Sequence, residues 1–149
     1  MVSGTGTLLV STAAYAAPDG RTAVAAVSRS DGDDRPRIVV RRLRRADTVP
    51  SAYRALLLAL WDARRWGTRR LVVATDDVEV AAQLDGVAPP AVGAVVPYLQ
   101  VRALLHAFGS AEVRYIDREH NFEAIAAAAA AVEYRQPVCL DLPLWRAAS

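Results

Sequence analysis

The chain predicts an α+β (α/β) domain: a five-stranded mixed sheet flanked by helices, in the order β-β-β-α-β-α-α-β-α. Three observations carry this. Three strand-like segments follow one another before any helical pattern begins. Helical and strand-like segments then alternate, which places helices on the faces of a sheet. One later segment, residues 70–75, is almost continuously apolar, as a strand covered on both faces must be.

Residues 8–10 and 23–27 read as the first two strands, joined by a turn over 16–20 that holds Pro18, Asp19 and Gly20. A second tight turn at 30–35 leads into a third strand over 37–43, completing an antiparallel meander. Asp47, Thr48 and Pro50 signal a helix start. In that helix Tyr53, Leu56, Leu57, Leu60 and Ala63 recur on one face, and Gly67 ends it. After strand 70–75 come a short helix over 77–84, a loop at 88–90 and a helix over 95–108. The last of these places Leu99, Arg102, Ala103 and His106 on successive turns. A fifth strand over 112–116 and a final helix over 121–132 complete residues 1–132 as one domain. Residues 133–149 form a C-terminal extension. In it Val138, Leu140, Leu142 and Leu144 alternate with Cys139, Asp141 and Pro143, and Trp145 follows. That period of two predicts an extended segment packed on its own domain, on a protein partner or on a second copy.

A chain of 149 residues that is 53% hydrophobic can bury a core of its own. No apolar run is long enough to cross a bilayer, so no membrane is expected as a partner. Cys139 is the single cysteine, which excludes an internal disulfide and a cysteine-based zinc site. No positive segment precedes the first apolar residues, and a cytoplasmic location is the expectation. The net charge of +2 is too mild for a dedicated nucleic-acid tail. All 18 basic residues are arginine. With the abundant alanine, this points to GC-rich coding of a bacterial type, and it lowers the weight of arginine clusters as evidence of phosphate contacts.

Asp76 closes the buried strand 70–75. Gln83, Leu84 and Gly86 form a QL-x-G piece, and Arg118, Asn121 and Ala124 form an R-x-x-N-x-x-A piece. With the element order, these pieces resemble the ribonuclease H superfamily over residues 7–132. That resemblance implies a phosphodiester-cutting site in which four carboxylates hold two divalent metals. It also implies where the carboxylates belong. The first falls on Thr12-Ala13, or one residue either side. The second falls on Ala52, the third on Asp76 and the fourth on Ile125. One acid of four is present, so the resemblance carries a degenerate site: Thr12, Ala52, Asp76, Ile125. No resident cofactor is expected, and magnesium or manganese enters only if nuclease activity is retained. Neighbouring acids do not substitute. Asp62 lies nearly three turns along its helix from Ala52, and Glu123 points well around its helix from Ile125.

For Asp76 itself two roles compete, a single metal ligand and a helix N-cap, and the cap is preferred. His120 and Asn121 sit where the site would be, and His120 reads first as a surface or capping residue. His106 reads as structural, and Trp61 and Trp66 as core and rim packing. Arg41, Arg42, Arg44 and Arg45 form the densest basic cluster, with Arg42 and Arg44 on one strand face, and Arg64, Arg65, Arg69 and Arg70 form a second. Three functions follow as expectations. The first is a non-catalytic binder of RNA or RNA–DNA hybrid, and the second a protein-interaction or scaffold domain using residues 136–149. The third is an unusual metal-dependent hybrid ribonuclease.

Overall fold

Five strands and four helices follow in the predicted order in the computed structural model, which describes residues 6–30, 35–45 and 47–133. They are β1 (Leu8–Ala16), β2 (Thr22–Ser30), β3 (Arg37–Leu43), α1 (Ser51–Arg65), β4 (Arg70–Thr75), α2 (Val78–Leu84), α3 (Val95–Leu105), β5 (Ser110–Tyr115) and α4 (Phe122–Glu133). Single 3-10 turns at Val92–Ala94 and Arg118–His120 lead into α3 and α4. The C-terminal extension lies outside the described residues, apart from Glu133 at the end of α4.

The strands lie in the order β3-β2-β1-β4-β5. β1, β2 and β3 pair antiparallel, whereas β1–β4 and β4–β5 are parallel. β1 is longer than predicted because residues 11–14 are small and lack large-apolar alternation. Pairing with β2, from Leu8–Ser30 to Ala16–Thr22, holds them in the strand instead. β4 stays beside β1 only as far as Ser11–Ala74, and beyond that point the two strands part.

The two faces of the sheet are covered differently. On one, α1 buries Tyr53, Leu56, Leu57, Leu60 and Ala63 against Val10, Ala26, Leu71 and Val73, with Val101, Leu104 and Phe108 beside them. The predicted face of α1 is the buried one. On the other, α4 presents Ala124, Ala128, Ala131 and Val132 to Ala13, Ala23, Ala25 and Val40. Small side chains on both sides let the helix lie close to the sheet. In α3 the predicted face is the outer one. Leu99, Arg102, Ala103 and His106 are exposed, and Pro97, Val101 and Leu104 are buried. Both sides of α3 are apolar, so periodicity alone does not choose between them. His106 is therefore no core residue, and Trp61 and Trp66 are 55% and 64% exposed rather than packed inside.

Polar links fix the helices in place. Gly67, at φ 74°, ends α1 as predicted, and Thr68 N–H donates back to Ala63 O. Gly86, at φ 77°, does the same for α2, with Val87 N–H donating to Ala82 O. The other half of the QL-x-G piece acts inside the core. The Tyr53 hydroxyl donates to Gln83 Oε1 at 2.5 Å, joining α1 to α2. Burial pushes the Tyr53 hydroxyl up to about 12, so it stays a donor. Asp62, buried on α1, accepts two hydrogen bonds from Arg37 of β3 at 2.6 and 3.1 Å. Pro50, not Asp47 or Thr48, sits at the start of α1. Asp47 accepts from Val49 N–H and from the Arg54 guanidinium.

Two outcomes are expected. Tyr53→Phe leaves Gln83 Oε1 buried without a donor, so it should cost about 1–3 kcal/mol. A urea-unfolding midpoint equal to that of the wild type would rule out this link. The Asp47 carboxyl is held below its ordinary value, mainly by the hydrogen bonds from Arg54. A depressed carboxyl stabilises the fold above its unfolded pKa and loses that effect as pH falls through the folded value. The melting temperatures of wild type and Arg54→Ala should therefore differ by a constant amount above roughly pH 5 and converge in more acidic solution.

Candidate functional site

The parting of β1 from β4 opens a gap, and three elements close it with polar side chains. Thr12, buried on β1, donates its hydroxyl to Ala74 O of β4 at 2.7 Å. Asn121, 1% exposed at the entry to α4, donates its side-chain amide to Thr12 O at 2.8 Å. The same amide donates to Asp76 Oδ2 at 2.9 Å. The Arg118 guanidinium lies 3.6 Å from that carboxylate oxygen. Asn121 Oδ1 is buried and has no protein donor. Tyr115, at the end of β5, is pushed upward by partial burial and then by the charges of Asp117 and Asp76.

Asp76 is thus not the helix cap. That role falls to Asp77, whose Oδ1 accepts from Val80 N–H at 3.0 Å. Thr75 Oγ1 in turn accepts from Asp77 N–H. This short turn aims Asp76 back across the strand ends, while Asp77 faces α2.

Of the four positions that the resemblance implies, Thr12 and Asp76 are bridged by Asn121, and Asp76 alone carries a carboxylate. Ile125 packs against Ala124, Val27 and Ala13, so the last-helix position and one of the two first-strand positions share a single apolar cluster. Ala52 packs, partly buried, against the core on the α1 face. Among the described residues, no three His, Cys, Asp or Glu side chains group closely enough to hold a metal ion. Two divalent cations need several hard oxygen ligands to offset their repulsion, and the residues present do not fit such a pair. The neighbouring acids are engaged elsewhere. Asp62 bonds to Arg37, and Glu123 bonds to Arg29 at 2.5 and 2.7 Å, which holds its carboxyl below the ordinary range. His120 is 73% exposed, 3.8 Å from Asp117.

The arginine clusters are redistributed. Alternation along β3 puts Arg42 on the α4 face, where its Nε donates to Ala131 O. Arg44 lies beyond the end of the strand, so the expected shared face of Arg42 and Arg44 is not formed. Arg45 donates to Asp19 O. Arg41 points the other way, into a groove of about 560 Å³ beside α1 that also holds Arg54, Trp61, Arg64 and Arg65. A second groove of about 550 Å³, with Arg44 and Thr48, shares Arg41, Leu43 and Arg54 with it. Sequence reasoning kept the two arginine clusters apart because only the packing of α1 on the sheet joins them.

Asp77→Ala should cost about 1 kcal/mol and expose the Val80 amide to hydrogen exchange. Asp76→Ala should leave that amide protected. Equal Val80 exchange in both variants would return the cap to Asp76.

Similarity to known proteins agrees with this geometry. A family model described as reverse transcriptase-like matches residues 11–131. No curated protein matches in sequence. The N-terminal RNase H domain of rv2228c from Mycobacterium tuberculosis, in a fusion with maltose-binding protein, superposes with a TM-score of 0.75 at 20% identity, covering 87% of this chain and 95% of that one. RNase H1 from the halophilic archaeon Halobacterium salinarum gives 0.77 at 24% identity, covering 86% and 98%. LC11-RNase H1, solved in complex with an RNA/DNA hybrid, gives 0.72 at 17% identity, covering 85% and 96%. The chain belongs to the reverse transcriptase-like family, and its domain has the ribonuclease H fold.

Proposed function

We propose that this domain is a non-catalytic ribonuclease H-fold module that binds nucleic acid. The observation that carries the loss of catalysis is the contact of Ile125 with Ala13, Val27 and Ala124. Two positions where the family places metal-binding acids lie in or against one apolar cluster, and a third is Ala52. A carboxylate restored at Ile125 alone would meet apolar neighbours rather than ligands. Asp76, the remaining acid, already serves as an acceptor for Asn121 and a counter-charge for Arg118. Binding is supported by the family, since a similar structure holds an RNA/DNA hybrid. The grooves add arginine side chains suited to phosphates.

A second reading, a protein-interaction domain, draws support from an exposed apolar stripe at the start of α3. Val92, Val96 and Leu99 are 95%, 65% and 57% exposed at helical spacing. Residues 136–149, the extension expected to serve this role, lie outside the described residues.

Purified protein should bind a labelled RNA–DNA hybrid in low salt and leave it uncut after prolonged incubation with magnesium or manganese. Affinity should fall steeply with salt, because phosphate contacts displace counterions. Cleavage that disappears in Asp76→Ala would revive the metal-dependent nuclease. An absence of binding, with concentration-dependent self-association abolished by Leu99→Asp, would favour the interaction domain.

A further inference from the structure

We infer that the groove between β3 and α1 is a binding site for a single nucleic-acid strand, distinct from the surface around Asp76. This inference rests on the proposal that the domain binds nucleic acid, and it names the site and the form of the ligand. The first argument is charge. Apart from Arg42, whose guanidinium lies on the α4 face, the two adjoining grooves are lined by five arginines and two aspartates, a local excess of three positive charges. The whole chain carries +2, so the remainder of the molecule is net negative. Both aspartates are already engaged, Asp47 by Arg54 and Asp62 by Arg37. Among the described residues no ion pair occupies Arg41, Arg44, Arg64 or Arg65. Arginines without acidic partners along one channel suit a chain of phosphates.

The second argument is the aromatic wall. Trp61 lines the groove, is 55% exposed, and has the Arg64 guanidinium 5.8 Å from its ring centre. An exposed indole inside a basic channel is a stacking platform for an unpaired base. Leu43, Leu57 and Leu104 supply apolar surface beneath it. The third argument is size. A cavity of about 560 Å³ is on the scale of a small-molecule site. It admits one strand with a base turned inward, whereas a duplex keeps its bases stacked and presents only its backbone. Around Asp76 the aromatic Tyr115 is also exposed, but the arginine there, Arg118, is paired with the carboxylate.

The test uses a fluorescein-labelled single-stranded RNA of about twelve mixed nucleotides, its duplex form and inorganic polyphosphate, each titrated with the full chain. The wild type should prefer the single strand to the duplex. Arg41→Glu with Arg64→Glu should abolish most binding at moderate salt and flatten the salt dependence by about 1.4, at 0.7 per phosphate contact of a single strand. Trp61→Ala should weaken the single strand at least about fivefold and leave polyphosphate unchanged. The control Arg69→Glu with Arg114→Glu, two arginines outside the groove lining, should bind like the wild type. Circular dichroism confirms that each variant is folded. Binding lost in Arg118→Glu but kept in the groove variant would place nucleic acid over Asp76. That result overturns the groove and leaves the proposed function standing. Equal loss in the groove variant and the control would reduce the site to bulk charge. No binding of any probe by the wild type would overturn both.

Discussion

The side chain of Asn121 ties together three elements that would otherwise separate. β1 and β4 are parallel and hydrogen-bonded only up to Ser11–Ala74, after which their backbone groups need other partners. The Asn121 amide takes the Thr12 carbonyl from one strand and the Asp76 carboxylate from the end of the other, and does so from the first residue before α4. The position of α4, and so the covering of one whole face of the sheet, depends on this bridge. The single carboxylate at the strand ends, Asp76, is met by an amide and a guanidinium. The buried Asn121 Oδ1, without a protein donor, is the one polar atom in this arrangement left for water.

Arginine does much of the remaining positioning. α4 buries mostly alanine, which offers little apolar area per residue, and three arginines hold it at its ends. Arg29 pairs with Glu123 near its start, while Arg42 and Arg21 donate to the carbonyls of Ala131 and Val132 at its close. The carbonyl contacts satisfy acceptors that a helix end leaves open. The Arg29–Glu123 pair is exposed and contributes more to orientation than to stability. On the other face, Arg37 satisfies buried Asp62 and lies over the Trp66 ring at 4.3 Å, shielding part of an exposed indole.

Much of this fold could be read along the chain. Strand 70–75 and the buried face of α1 were legible because each has one dominant pattern, continuous in the first and spaced by turns in the second. The pieces QL-x-G and R-x-x-N were legible for reasons now physical: Gln83 accepts from Tyr53, Gly86 adopts a positive φ, and Asn121 bridges two strands. The inner face of α3 was not legible, because Val95, Val96 and Leu99 make much of its outer face apolar as well. Asp76 and Asp77 are adjacent, chemically identical candidates for one cap, and only the turn at Thr75 decides between them. The basic groove had no local signature, since Arg41 and Arg64 meet only after α1 docks on the sheet.

The same packing bears on the proposed reading of a site without metal. A carboxylate replaced by a small residue leaves space that water and a neighbouring acid can reoccupy. Ile125 does something different: its side chain contacts the cluster of Ala13, Val27 and Ala124, so the last-helix position is joined to the sheet by apolar contact. An acid at Ile125 would set a partly exposed charge against an apolar cluster, and one at Ala13 would press a longer side chain into a packed layer. On the proposed reading, function draws on surfaces away from this cluster, such as the groove that holds Arg41, Arg64 and Arg65.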